Sequence, residues 1–116
     1  MHNFRELNIW KKSKDLSKEI ILVSKNFSDE YKYSLSSQIV RSAVSVPSNI
    51  AEGAGRSSTK DFQRYLDIAQ GSACELENQL IIAYEIDLLS SDQHEFYIEK
   101  LNEIQKMIRG FRNSLD

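Results

Sequence analysis

The sequence predicts an all-α fold, and three observations carry that prediction. Over 116 residues there are only four glycines and one proline, too little punctuation for a many-stranded fold. Apolar residues recur at steps of three and four in four separate stretches, the signature of amphipathic helices. Short polar links with capping residues divide those stretches. Helices of about 20 residues with short links bury their seams most simply as an up-down-up-down antiparallel four-helix bundle. One such domain spans residues 1–116.

Trp10, Leu16, Ile20, Val23 and Phe27 mark a first helix from about Asn8 to Asn26. A polar link from Ser28 to Tyr33 follows, and Ser34 is placed to cap a second helix running to Ala54. Its stripe is Leu35, Ile39, Ala43, Val46 and Ile50, with Gly53 and Gly55 bracketing its end. Pro47 falls in mid-pattern, where a missing N–H and a ring clash cost about 3 kcal/mol. That interruption, crowded by Ser45, Ser48, Asn49 and Glu52, predicts a kinked helix with a shaped, packed surface.

Ser57, Ser58 and Thr59 are alternative caps for a third helix, with Asp61 favourable in its first turn. The stripe Phe62, Leu66, Ala69, Ala73, Leu76, Leu80 and Ala83 carries it to near Asp87. Ser90 and Gln93 have capping-box spacing ahead of a fourth helix. Tyr97, Leu101, Ile104, Ile108, Phe111 and Leu115 form its narrow seam. Gly110 weakens that helix locally by about 1 kcal/mol.

There is more apolar helix surface than one bundle core requires. Val40, Val44, Pro47 and Ala51 form a second row on the second helix. Leu80, Ile81, Ile82, Ala83, Tyr84 and Ile86 wrap nearly round the third, and Ile9, Ile21 and Leu22 lie off the first seam. A helix apolar on all sides is usually buried on all sides. Self-association is therefore expected, with Pro47, Ile81, Ile82 and Tyr84 at the interface.

Counting outward from the turn between the second and third helices puts residues whose numbers sum to about 114 at one level. That register predicts an Arg41–Glu75 ion pair and a Ser42–Ser72 bond, with Gly71 allowing close backbone approach. Asn49 would then face Tyr65, and Glu52 would face Phe62. The cluster reads as packing between helices or subunits in preference to a ligand site.

The net charge of −2 conceals a polarity. In the bundle, one end would gather residues 1–14, 50–66 and 104–116, for a charge of +6. Residues 67–103 hold nine acids against Lys100 alone. Lys11, Lys12, Lys14, Arg56, Lys60, Arg64, Arg109 and Arg112 at the basic end are candidate contacts for an RNA or DNA backbone. A pI near 5.7 is far from that of a dedicated nucleic-acid domain.

Catalytic and metal chemistry find little support. Cys74 is the only cysteine, so neither an internal disulfide nor a thiolate cage can form, and it reads as a small packed residue. His2 falls in a tail and His94 beside a cap, and neither follows a glutamate by three as in carboxylate-bridged metal bundles. Glu52-Gly53-Ala54-Gly55-Arg56 lacks the lysine-serine ending of a phosphate loop. No catalytic residue, metal or cofactor is expected. No apolar run reaches the roughly 20 residues of a membrane span, and the N-terminus lacks a signal-peptide pattern. A cytoplasmic protein without membrane contact is expected.

Three segments carry a family resemblance. They are Phe4 to Trp10 (FRELNIW), Gln38 to Gly53 (QIVRSAVSVPSNIAEG) and Ile68 to Leu76 (IAQGSACEL). The sequence resembles the bacterial four-helix-bundle proteins encoded in 23S ribosomal RNA intervening sequences, the S23-type ribosomal proteins. The fourth helix matches by pattern only. The resemblance implies a ring, with homopentamers expected. It also implies kinship with the accessory variability protein of diversity-generating retroelements, whose basic surface binds nucleic acid and a partner reverse transcriptase. The mild acidity of this chain departs from that branch. Two functions follow as expectations: a non-enzymatic ring touching RNA or DNA through its basic end, or an assembly module for a protein partner.

Overall fold

Four α-helices form from the four periodic stretches: α1 (Asn8–Ser24), α2 (Ser37–Ala54), α3 (Thr59–Glu85) and α4 (Ser91–Ser114). The computed structural model describes residues 1–115, so Asp116, one of the charges assigned to the basic end, lies outside the described residues. There is no strand among the described residues. Overall dimensions are 44 × 24 × 20 Å.

Most helix ends follow the residues placed there. Ser58, of the three candidates, caps α3 by accepting the Asp61 N–H at 3.1 Å. The Ser90–Gln93 capping box closes both ways, at 2.9 and 3.1 Å. Two expectations need correction. Ser34 does not cap α2; it lies in a π-helical turn (Lys32–Ser36), where its hydroxyl donates to the Tyr31 carbonyl at 3.4 Å. Helical backbone thus leads directly into α2, and no side chain caps it. Gly55 ends α2 in right-handed geometry (φ −82°) and makes no use of glycine's freedom. The left-handed residue is Asp87 (φ 66°), just beyond α3. There the Leu88 N–H reaches the Ala83 carbonyl at 2.8 Å and the Asp87 N–H reaches Tyr84 at 3.1 Å, which is the Schellman arrangement.

The four stripes meet in one core. Ile20, Ile39, Ile50, Leu66, Leu76, Leu80, Leu101 and Ile108 are its fully buried large side chains. Ile9, expected off the seam, is buried as well. α2 continues through Pro47, which is buried within the chain. The proline removes the N–H that would serve the Ala43 carbonyl. Ser17 of α1, itself buried, supplies the substitute: its hydroxyl donates to that carbonyl at 2.5 Å.

One end of the molecule is tied by contacts between distant segments. The His2 N–H donates to the Ala54 carbonyl at 2.8 Å. Its ring lies beside Phe62 (5.1 Å) and Phe111 (6.1 Å), so His2 is not a loose tail. Gln63 donates to the carbonyls of Arg112 (3.2 Å) and Leu115 (3.0 Å). The N-terminus, the end of α2, the start of α3 and the end of α4 therefore lie together.

Candidate nucleic-acid and assembly surfaces

Small polar residues line the seam between α2 and α3. The Ser42 hydroxyl donates to Glu75 Oε1 at 2.9 Å, and the Ser45 and Ser72 hydroxyls lie 2.9 Å apart. The Asn49 amide donates to the Ser45 carbonyl (2.8 Å) and Ser45 Oγ (3.0 Å). These bonds overturn the expected partners. Arg41 does not pair with Glu75; it is exposed and makes no ion pair among the described residues. Ser72 bonds Ser45 instead of Ser42, and the Asn49 amide bonds within α2.

The reason is geometric. Both cross-helix pairs sum to 117 in residue number instead of 114. Helical side chains lean toward their own N-terminus, displacing each contact by about one residue. In an antiparallel pair the two displacements add, which accounts for most of the difference. Close approach also falls elsewhere. A Cβ on Gly71 would meet nothing within 4 Å, whereas one on Gly53 would stand 2.7 Å from Tyr65 Cβ and 2.9 Å from Phe62 Cδ1. Glu52 is exposed, 3.9 Å from Arg56.

The eight basic candidates divide into two groups. Lys12 is held by Glu103 at 2.7 Å and Lys14 by Asp15 at 2.9 Å. Those hydrogen bonds hold both carboxyls below their usual range. Arg112 grips Asp67 through Nε (3.1 Å) and Nη2 (3.3 Å). Arg56 and Arg64 both lie over the Tyr65 ring, at 4.8 and 5.0 Å. Arg56 also donates to the Tyr65 hydroxyl at 2.7 Å, while the nearest carboxylate to Arg64 is Asp61 at 4.0 Å. Lys11, Lys60 and Arg109 are exposed and without an ion pair among the described residues. The level count set Tyr65 opposite Asn49 and gave it no part at the basic end. Its position one turn beyond the Lys60–Asp61 start of α3 was the available signal.

Apolar surface is exposed mainly on α3. Ile68, Ile81, Ile82 and Tyr84 are each more than one-third exposed, as is Ile86 just past its end. Tyr84 stacks on His94, with ring centroids 4.4 Å apart. On α2 Val44 is exposed, and on α1 Leu22. Among the described residues no cluster of three metal-ligating side chains occurs, and no helix is long and apolar enough to cross a membrane.

These features define the class: a small all-α protein of four helices with exposed isoleucines and a cationic end. The chain belongs to the 23S rRNA-intervening sequence protein family, whose model matches residues 5–110. It is similar to a crystal structure of a protein of unknown function from the S23 ribosomal protein family of Bacteroides thetaiotaomicron VPI-5482. The TM-score is 0.85 at 28% identity, over 90% of this chain and 95% of that one. No curated protein matches the chain in sequence.

Proposed function

We propose that this chain is a non-enzymatic assembly protein. Its up-down-up-down bundles, kinked at Pro47, join into a ring and present a basic end to an RNA or DNA backbone. The observation that carries the assembly is the exposed apolar surface of α3 and its C-terminal cap: Ile68, Ile82 and Ile86 are each at least 41% exposed in the single chain. Burying such surface yields roughly 25 cal/mol per Å². The resemblance to a ring-forming family makes five subunits the expected number. The tied end of the bundle supports the nucleic-acid contact, because it gathers the starts of α1 and α3 and the last turns of α4. Lys11, Lys60 and Arg109 are the phosphate contacts, since their charges are not already neutralised. A cytoplasmic location suits that role.

A second reading has its own support. Lys12, Lys14 and Arg112 are held by carboxylates, and Arg56 and Arg64 by Tyr65. An end so compensated suits a protein partner, of which a reverse transcriptase is the kind implied by the resemblance. Light scattering with a salt-titrated binding assay on structured RNA tests both. Assembly with salt-sensitive binding supports the first reading, assembly without binding the second, and a lone 13.4 kDa particle ends both.

A further inference from the structure

Glu75 stands in an apolar row. Ile68, Glu75 and Ile82 are spaced by seven residues on α3, and seven residues are close to two full helical turns. They therefore form one line along the helix. Both isoleucines are exposed, at 42% and 41%, and Glu75 is exposed between them. The carboxylate is nevertheless fixed in place. Its Oε1 accepts from the buried Ser42 hydroxyl, and its other oxygen has no partner among the described residues.

Arg41 lies beside Ser42 on α2. Successive helical residues point about 100° apart, so while Ser42 is turned to α3, Arg41 is turned outward. It is exposed and makes no ion pair among the described residues. The chain thus carries an oriented carboxylate with a spare oxygen and an unpaired guanidinium on adjoining parts of one surface.

We propose that this surface docks a second copy of the chain, with Arg41 of one copy paired to Glu75 of the next. The proposal rests on the assembly reading and names its contact. A carboxylate within an apolar contact is costly unless a cation meets it, and a guanidinium offers a planar fork for its free oxygen while lying flat on aliphatic neighbours. The two charges are complementary and belong to the same sequence, so the contact can repeat from copy to copy. The isoleucines supply affinity and the ion pair supplies register.

Charge exchange tests this, with light scattering as the readout and circular dichroism as the check on folding. The wild type, Arg41→Glu, Glu75→Arg and the double exchange are compared. Glu75→Gln is added because it keeps an acceptor for Ser42 while losing the charge. Each folded single variant is expected to raise the concentration at half-dissociation by about tenfold or more. The double exchange is expected to recover assembly. An assembled wild type whose mass is unchanged in Arg41→Glu and Glu75→Gln overturns the pair and leaves the assembly reading standing. A folded double exchange no better than the single variants also overturns the pair. A wild type at 13.4 kDa throughout ends the assembly reading itself and the pair with it.

Discussion

The Ser17 hydroxyl on α1 donates to the Ala43 carbonyl on α2, the acceptor that Pro47 deprives of its helical N–H. A residue on one helix thus completes the hydrogen bonding of another at the point where proline interrupts it. An orphaned buried carbonyl costs about 1–3 kcal/mol, so the bond offsets part of the cost of placing proline in mid-helix. Ser17 also lies 2.9 Å from the Ser13 carbonyl, which allows the hydroxyl to be shared between the two helices.

Ser17→Ala is therefore expected to destabilise the chain by about 1–3 kcal/mol in urea unfolding. The same change in a Pro47→Ala background should cost much less, because an alanine N–H can return to the Ala43 carbonyl. Equal costs in both backgrounds would show that the two positions are uncoupled.

Gly53→Ala should be destabilising by about 1–3 kcal/mol, since the new methyl would meet Tyr65 Cβ and Phe62 Cδ1 below 3.0 Å. Gly110→Ala is the control. Nothing lies within 4 Å of a Cβ there, and the gain in helix propensity should stabilise by about 0.5–1 kcal/mol. Thermal melts of the two variants should move in opposite directions.

Asp87→Gly is expected to stabilise the chain by about 1 kcal/mol, because Asp87 holds φ 66° at the end of α3 and only glycine adopts that region without a Cβ penalty. Denaturant midpoints measure the change. A lower midpoint would mean that the Asp87 side chain contributes something its backbone strain conceals.

Tyr97 is 9% exposed, and burial pushes its phenol above the ordinary range, with the Glu19 carboxylate adding to the effect. The unfolded chain then releases this proton first, near pH 10. Its stabilising contribution is complete below that pH and is lost as pH rises through the folded value. Melting temperature should fall less steeply above about pH 10 in Tyr97→Phe than in the wild type.

If the basic end binds a phosphate backbone, Lys11→Ala, Lys60→Ala and Arg109→Ala should each reduce the slope of log affinity against log salt by about 0.7–0.9. Lys12→Ala and Arg112→Ala should change it far less, because Glu103 and Asp67 already neutralise those charges. Equal effects from all five would favour a diffuse field over specific contacts.

Periodicity and capping chemistry are local, and they placed the helices well. The apolar stripes marked the core, and Ser58, Ser90 and Gln93 marked helix starts, because an N-cap needs only its own neighbours. Ser17 had no place among the expectations, although a signal was legible: Ser13 and Ser17 interrupt the otherwise apolar inner face of α1, where polar residues need a bonded partner. The partner itself was not. The Arg41–Glu75 and Ser42–Ser72 expectations failed because a level count treats side chains as perpendicular to the helix axis, and they lean. Gly71 and Gly55 misled for a related reason, since a glycine's purpose depends on what stands opposite it.

By itself the sequence determined an all-α chain of four helices, the capped starts of α3 and α4 and the apolar stripes that fill the core, all patterns written within a few residues of chain. Only the tertiary structure decided that Ser17 completes α2 at Pro47, that Gly53 admits Tyr65, and which cations remain unneutralised. Those outcomes depend on the relative lean, rotation and spacing of helices far apart in sequence, and no local pattern encodes them.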